Sequence, residues 1–310
     1  MMDYKNLLKQ PLRSLKENAM GMVFLLCAVL SVATTVGIVI VLLSEAVIFF
    51  SEVSVIEFLT HTRWSPTIKP FEFGVLPLIS GTLTFTFLSA LVALPVGLMA
   101  AVYLSEYAAE RVRAVLKPAL EVLAGIPTVV YGYFALVYIT PFLRQTLFPG
   151  IRTFNVLSAS IVVGIMIIPT VASISEDALR AVPRSLRLAG YGLGVTKFQV
   201  TMTVVIPSAL SGIVSSFILG VSRAIGETMA VTIAGGNMSR IVNWLRPADA
   251  FLRPIQTMTA AMVEIGMSDV SGDSVAYRSL FAVGLALFSL TLLLNIASEV
   301  FKSRYREKYE

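Results

Sequence analysis

The sequence predicts an all-α integral membrane protein with six transmembrane helices, and three observations lead to this fold class. Hydrophobic residues make up 56% of the 310 residues and charged residues only 14%, whereas soluble domains contain about 25% charged residues. The mean hydropathy is +0.82. Six long segments contain almost no Asp, Glu, Lys or Arg, and each can supply the roughly 20 apolar residues that cross a bilayer as a helix.

The six predicted spans form one transmembrane domain over residues 19–302, preceded by a cytoplasmic segment at 1–18. The first span is expected to be an uncleaved anchor, because its apolar stretch is much longer than the h-region of a signal peptide, about 7–15 residues. The spans are expected at about 20–44, 76–104, 119–143, 154–175, 205–235 and 278–300.

The basic residues predict which side of the membrane each loop faces. The two termini and the loops after the second and fourth spans carry fifteen Lys and Arg residues, whereas the opposite loops carry eight. Arg223, inside the fifth span, completes the total of 24. Because loops rich in Lys and Arg stay in the cytoplasm, both termini are predicted to be cytoplasmic.

The N-terminal segment has two interpretations that the sequence leaves open. It is either an interfacial helix that binds anionic lipid through a basic stripe, or a solvated leader that only sets topology. The basic residues of this segment are Lys5, Lys9, Arg13 and Lys16.

Composition argues against several other functions. Cys27 and His61 are the only residues of their types, so an intramolecular disulfide and a His/Cys zinc site are both excluded. The net charge of +5 is interpreted as a topology signal and not as nucleic-acid binding. The spacing Gly192-x-Gly194-x-x-Lys197 does not fit a Walker A loop. No ATP site or catalytic cluster is predicted in this chain, which argues against a membrane enzyme such as a lipid phosphatase.

The loop at 176–203 is unusually long for the predicted cytoplasmic side. Acidic residues at its start, the single proline Pro183 and the glycines at 190, 192 and 194 predict two short amphipathic helices separated by a glycine-rich turn. Such a piece is too small to hold its own core, so its exposed apolar side chains indicate a docking surface and argue against a passive channel. These side chains are Leu186, Leu188, Tyr191, Leu193 and Phe198.

This loop resembles the "EAA" loop of ABC importer permeases, in which a glycine lies 13 residues before a proline. Gly194 and Pro207 have that spacing, and Leu188 replaces the first Glu of the motif. The resemblance implies a coupling helix that enters a groove on a separate ATPase subunit, which binds ATP and Mg²⁺, so no cofactor is expected on this chain. The implied coupling residues are Leu186, Leu188, Ala189, Gly190, Leu193, Gly194 and Pro207.

Two charged residues, Arg223 and Glu227, lie inside the predicted fifth span. A charge at the centre of a bilayer costs about 2.5–3.5 kcal/mol on insertion scales, and residues four apart share a helix face, so an ion pair is predicted. The pair either stabilises the bundle alone, or Arg223 presents a guanidinium to a tetrahedral oxyanion while Glu227 positions Arg223 and helps release the anion.

The segment around these charges also carries a family resemblance. Residues 222–231 read S-R-A-I-G-E-T-M-A-V, and G-I-P-T-V-V-Y-G begins at Gly125. Over most of its length the chain resembles the PstC family, permease subunits of bacterial phosphate ABC importers with the type I importer fold. The resemblance implies a phosphate path that includes Arg223, Glu227 and Thr228. A permease for another oxyanion, or the PstA-like partner role, is the alternative.

The same resemblance implies location and partners. The chain is expected in the bacterial inner membrane with a PstA-like permease, two copies of an ATPase subunit and an extracytoplasmic phosphate-binding protein. That binding protein is expected to dock on the external segments 51–72 and 236–278. Arg240, Arg246 and Arg253 either contact its acidic residues or are simply solvated.

Overall fold

The computed structural model describes residues 11–304, with side chains described from residue 17 to residue 300. This part of the chain is almost entirely helical, as the predicted fold class requires. In chain order its elements are α1 (Pro11–Glu52), α2 (Val55–Thr60), β1 (Trp64–Ser65), β2 (Glu72–Phe73), α3 (Leu76–Val102), α4 (Glu110–Ala124), α5 (Thr128–Phe134), α6 (Thr140–Thr146), α7 (Val156–Ala181), α8 (Arg184–Gly192), α9 (Lys197–Val200), α10 (Ile206–Ser208), α11 (Leu210–Ile225), α12 (Met229–Gly235), α13 (Pro247–Phe251), α14 (Met258–Met267) and α15 (Val275–Arg304).

Six membrane spans fit the described residues when each bent helix pair is counted as one span. Four helices, α1, α3, α7 and α15, are individually long and apolar enough to cross a bilayer. A π-helical turn at Tyr103–Tyr107 extends α3, and a second one at Ala135–Ile139 joins α5 to α6. The two bent pairs correspond to the third and fifth predicted spans.

The third predicted span, 119–143, is not one straight helix. α4 ends at Ala124, and the chain bends by 88° before it continues as Thr128–Thr146. Pro127, which caps α5, explains the break, because proline lacks an N–H and disfavours helical conformation in the preceding residue. Residues 119–124 therefore belong to α4, a separate helix that is nearly perpendicular to Thr128–Thr146.

The fifth predicted span, 205–235, is interrupted twice. A bend of 71° separates α10 from α11 at Ala209. α11 then ends at Ile225, where Gly226 caps it, and α12 begins only at Met229. The two charged residues of the predicted ion pair therefore lie on opposite sides of a helix end.

α3 and α7 form the centre of the fold. Gly164 of α7 faces α3 so closely that a Cβ at this position would lie 2.7 Å from Cβ of Val92. Gly97 of α3 faces Val171 in the same way, at 2.8 Å. Small residues at such positions let helix backbones approach each other in a membrane. The largest buried side chains of this core include Phe85, Met166 and Ile167.

α1 is peripheral, since no residue of its most apolar window is buried inside the chain. Its C-terminal end is fixed by an aromatic cluster, in which Phe49 meets Phe58 and Phe73 edge to face at 5.8 Å and 5.4 Å between ring centroids. Phe73 also pairs with Trp64 across the hairpin that the two-residue strands β1 and β2 form. This hairpin is the one departure from all-α structure within the described residues.

The cytoplasmic loop predicted at 176–203 contains the two expected short helices. Pro183 caps α8, and Gly194 turns the chain with a φ of +76°, which glycine adopts without steric cost. Thr196 and Gln199 then form a capping box at the start of α9. The loop begins later than predicted, because α7 continues through Glu176 to Ala181.

Some expectations concern residues outside the described part of the chain. Lys5 and Lys9 of the proposed basic stripe fall there, as do Arg306 and Lys308 of the orientation argument. The interfacial-helix interpretation of the N-terminal segment therefore stays a prediction.

Candidate functional site

Arg223 lies in the last turn of α11, next to the second break in the fifth span. Its Nη1 donates a hydrogen bond of 2.9 Å to Oγ1 of Thr170 on α7, and Tyr131 of α5 lies within electrostatic range. Between residues 17 and 300, the Arg223 side chain makes no other hydrogen bond and no ion pair. Most of its five guanidinium donors are therefore unengaged by this part of the chain.

The predicted ion pair between Arg223 and Glu227 is wrong. Glu227 lies beyond the end of α11 and is only 7% exposed. Its Oε1 accepts a hydrogen bond of 3.1 Å from the backbone N–H of Ala230, in the first turn of α12. The i, i+4 rule holds only while a helix continues, and Gly226 ends it first. A carboxylate at the start of a helix also interacts favourably with the helix dipole.

Thr228 occupies the break itself, between α11 and α12. Its Oγ1 donates to the carbonyl of Gly226 at 3.2 Å, and its own carbonyl accepts from Oγ1 of Thr232 at 2.7 Å. Thr259, in the first turn of α14, donates to the carbonyl of Glu227 at 2.8 Å. The structure thus brings the three predicted path residues to one helix break, although Arg223 and Glu227 do not pair.

A cavity of about 230 Å³ between α4 and α7 reaches the Thr170 partner of Arg223. Thr170 and Ser173 line it from α7, and Lys117 lines it from α4. None of the three was predicted as a site residue. The sequence offered one signal, the hydroxyl side chains of Thr170 and Ser173, which lie three positions apart and share one face of a largely apolar span.

Glu176 fixes α4 against α7 and is the most heavily paired carboxylate in the described residues. Its side chain is fully buried, with Nη2 of Arg113 at 2.5 Å and Nζ of Lys117 at 3.1 Å from its carboxylate oxygens. Arg180 approaches to 3.8 Å, and Lys117 also contacts Asp177 at 3.1 Å. This cluster explains why Glu176 belongs to α7 and does not begin the loop.

Four of the seven predicted coupling residues form an exposed surface on α8 and the turn that follows it, called the α8 turn below. Leu188 is 68% exposed and Leu193 is 83% exposed. Ala189 and Gly194 are exposed beside them. Large apolar side chains that project from a short helix are typical of a docking surface.

The other three predicted coupling residues have supporting positions. Leu186 is half-buried and packs against the core cluster beneath the loop. Gly190 is buried, and a Cβ at this position would lie 3.0 Å from Cγ2 of Val200 on α9. Pro207 lies in α10, outside the α8–α9 pair. Leu186 and Gly190 hold α8 on the protein, and Pro207 accompanies the bend before α11.

Arg187 attaches α8 to the transmembrane helices, a role that sequence reasoning missed. Its Nη1 donates to the carbonyl of Val182 at 2.5 Å, and its Nη2 donates to the carbonyl of Leu179 at 2.7 Å. Nη2 also contacts Oε1 of Glu106, in the π-helical turn after α3, at 2.9 Å. Glu106 and Arg187 are 81 residues apart in sequence, so no periodicity could relate them.

The three arginines of the segment predicted to be external have unequal surroundings. Arg240 donates from Nε to the carbonyl of Pro254 at 2.9 Å and from Nη2 to that of Asp249 at 2.6 Å. Burial, reinforced by the neighbouring Arg253, lowers the pKa of Arg240 from its usual value. Arg253 itself pairs with Asp249 at 2.8 Å. Of these three arginines, only Arg246 has a side chain that makes no hydrogen bond or ion pair in the described part.

Comparison with known proteins identifies the family. Residues 93–307 match the model described as "Binding-protein-dependent transport system inner membrane component". The "Probable ABC transporter permease protein YqgH" of Bacillus subtilis (strain 168) is 36% identical over 94% of this chain and 93% of that relative. The "Phosphate transport system permease protein PstC" of Mesorhizobium japonicum is 34% identical over 76% of this chain and 75% of that relative.

The fold also matches solved structures. A crystal structure of a bacterial alginate ABC transporter, in complex with a periplasmic protein that holds an alginate pentasaccharide, contains a chain with a TM-score of 0.61. The match covers 96% of this chain and 98% of that one, at 13% identity, so it shows only the fold, that of a type I ABC importer permease. The chain therefore belongs to the family of inner-membrane components of binding-protein-dependent transport systems, as a permease and not an enzyme.

Proposed function

We propose that this chain carries inorganic phosphate from the exterior to the cytoplasm, as one permease subunit of an ATP-driven importer in the bacterial inner membrane. The similarity to the Mesorhizobium japonicum phosphate permease supports the substrate. The observation that carries the proposal is the state of Arg223, a guanidinium beside a helix break whose only hydrogen bond in the described part is to a neutral hydroxyl.

The absence of the ion pair strengthens the case for an anion path. A guanidinium that is already neutralised by a carboxylate has less to offer an incoming anion, since that carboxylate repels it. Arg223 keeps its charge and several N–H donors, and the planar fork of arginine fits a tetrahedral oxyanion well. We assign binding of the phosphate to Arg223, with Thr228 lining the break beside it.

Glu227 has a different role in this proposal. Its carboxylate is buried at the break and is held by the N–H of Ala230, so its position does not depend on Arg223. A fixed negative charge near the path disfavours a long stay of the phosphate. Transport needs binding that is strong enough to admit an ion and weak enough to release it.

Coupling to ATP is assigned to the exposed apolar surface of α8. Leu188 and Leu193 are proposed to enter a groove on an ATPase subunit, which binds ATP and Mg²⁺ in place of this chain. No group of three or more His, Cys, Asp or Glu side chains suited to a metal ion occurs among the described residues. This assignment places α8 and both termini in the cytoplasm, in agreement with the excess of basic residues there.

Two further partners complete the proposed importer. One is a second, PstA-like permease, which together with this chain encloses the path. The other is an extracytoplasmic phosphate-binding protein that docks on the external segments 51–72 and 236–278. Of Arg240, Arg246 and Arg253, Arg246 is the best suited to such a contact, because the other two are engaged inside the chain.

The substrate is tested by uptake into proteoliposomes that contain the assembled importer and its binding protein. We expect ATP-dependent uptake of labelled phosphate, with little uptake of sulfate or molybdate. Faster uptake of either competitor would assign the path to another oxyanion and reject phosphate. To assign the subunit role, cross-linking should find this chain beside a second, different permease.

A further inference from the structure

A basic cleft lies near the α8 end of the molecule, away from the Arg223 break. Its volume is about 330 Å³, many times the roughly 30 Å³ that one water molecule occupies in the liquid. It forms where the end of α3, the start of α4, the end of α7 and the start of α8 meet. Its charged lining consists of Arg113, Arg180, Arg184, Arg187, Glu106 and Glu110.

Two of the four arginines are held in place by contacts with the protein. Arg187 is tied to Glu106 and to two backbone carbonyls. Arg113 is tied to the buried carboxylate of Glu176 at 2.5 Å. Its Nε is buried and has no hydrogen-bond partner among the residues described. These two side chains give the cleft a rigid frame.

The other two arginines have donors to spare. Arg184 is exposed and makes no side-chain hydrogen bond or ion pair within residues 17–300. Arg180 approaches a carboxylate only at 3.8 Å, the distance to Glu176. Of the two acidic lining residues, Glu106 is already neutralised by Arg187. Arg184 also begins α8, whose N-terminus has no side-chain cap and so adds positive potential.

We propose that this cleft binds a phosphate group, at a site separate from the transport path. Guanidinium groups on a fixed frame recognise phosphate oxygens through paired, charge-assisted hydrogen bonds. Two sources offer this chemistry, free inorganic phosphate and the headgroup of an anionic phospholipid. Basic pockets between helices at the cytoplasmic side are suited to such headgroups. The inference does not depend on phosphate being the transported ion.

Occupation of the cleft has a mechanical consequence. Arg184 and Arg187 belong to α8, Arg180 to α7 and Arg113 to α4. A phosphate group that contacts three of these elements would cross-link the α8 docking surface to the helices that carry the path. The bound group is therefore expected to stabilise the position of α8.

The test uses the assembled importer without binding protein or nucleotide, and every sample carries Arg223→Gln to remove the proposed path site. In one arm the complex lies in phosphatidylcholine nanodiscs, and binding of labelled inorganic phosphate is measured. In the other arm the nanodiscs contain phosphatidylglycerol, and native mass spectrometry measures how much of that lipid stays bound. The variant combines Arg180→Gln with Arg184→Gln, and the control is Arg111→Gln, an exposed arginine of α4 outside the cleft lining.

The double variant should weaken one of the two signals by at least about ten-fold, because two charged hydrogen-bond donors are lost. A loss of phosphate binding identifies free phosphate, and a loss of retained lipid identifies a headgroup. The double substitution of Arg180 and Arg184 by Lys should restore part of the signal. Should the Gln double variant fail to assemble, the same two binding signals are measured with the single variant Arg184→Gln, since that exposed side chain supports no described contact.

Three results would overturn the proposal. The first is an unchanged signal in both arms. The second is an equal loss from Arg111→Gln, which would indicate a general effect of surface charge. The third is weaker ATPase retention with both binding signals intact, which would make the cleft a protein contact.

Discussion

Arg187 and Arg223 lie in the two candidate functional regions of this chain, the proposed α8 docking loop and the break in the fifth span, and their surroundings are opposite. Arg187 donates to two backbone carbonyls and contacts a carboxylate, so its charge and donors are consumed by the fold. Arg223 has one hydrogen bond, to the hydroxyl of Thr170. Both side chains are partly buried, and partial burial alone does not distinguish their roles.

The difference lies in how much of each guanidinium the protein itself satisfies. A buried polar group normally finds partners, because an unpaired one is costly. An arginine such as Arg187, whose guanidinium finds its partners within the protein, is therefore explained by its contribution to the stability of the fold. An under-satisfied arginine such as Arg223 adds little to stability for its cost, and a ligand that completes its hydrogen bonds is the simplest reason to keep it there.

The largest expected effect comes from Arg223. Arg223→Gln should reduce phosphate uptake by at least about 100-fold, because the charged fork is lost, while assembly with the partner subunits stays intact. Arg223→Lys should recover little, since a single ammonium does not offer paired donors. Proteoliposome uptake and co-purification measure the two effects, with Arg111→Gln as the control, since that exposed arginine of α4 lies outside the path and the docking surfaces. Normal uptake by Arg223→Gln would remove the anion-path assignment.

Arg187 should behave in the opposite way. Arg187→Gln is expected to cost about 2 kcal/mol of stability, because it removes charged hydrogen bonds and leaves Glu106 unpaired in a buried position. Thermal unfolding of the purified complex measures the loss, and Arg111→Gln is the surface control. Coupled ATPase activity should fall together with stability. A stable Arg187→Gln complex with intact coupled ATPase activity that fails only in phosphate uptake would reverse the comparison.

The docking surface gives a third prediction of smaller size. Leu193→Glu places a charge on the most exposed apolar side chain of the α8 turn, and it should weaken retention of the ATPase subunit by about ten-fold, or about 1.4 kcal/mol. Folding should not change, because the side chain supports no core. The control is Leu147→Glu, another largely exposed leucine outside the loop. Equal retention of the ATPase by both variants would count against α8 as the coupling helix.

Much of this fold was predictable because it depends on local signals. Stretches without charges marked the spans, and Pro183 and Gly194 marked the ends of α8. The break at Pro127 was less predictable, since the apolar stretch continues across it and membrane helices tolerate proline. The span predicted at 119–143 combined the end of one helix with most of the next for that reason.

The site was only partly predictable. Arg223 and Glu227 were found because charges inside a span are rare, whereas Thr228 was implied only by the family resemblance. Their geometry was not, because Gly226 gives no clear sign that α11 ends there. The contacts of Arg187 with Glu106 and of Arg113 with Glu176 were invisible to sequence, since each joins residues far apart in the chain. Long-range pairs of this kind leave no periodic pattern.

The smallest effect is expected at Glu227, and it tests the missing ion pair directly. A glutamine at this position can still accept the hydrogen bond from Ala230, so Glu227→Gln should cost less than about 1 kcal/mol of stability. Without the fixed negative charge, phosphate should bind somewhat more tightly and leave more slowly, with uptake reduced about two- to five-fold.

A double-mutant cycle on stability between Arg223→Gln and Glu227→Gln separates the two arrangements. Residues that share no contact give additive changes, within about 0.5 kcal/mol, and the structure places each of these side chains on a different partner. A coupling energy above about 1 kcal/mol would mean that the two charges do pair in the membrane. In that case α11 would continue past Gly226, and Arg223 would no longer differ from Arg187 as an arginine with donors to spare.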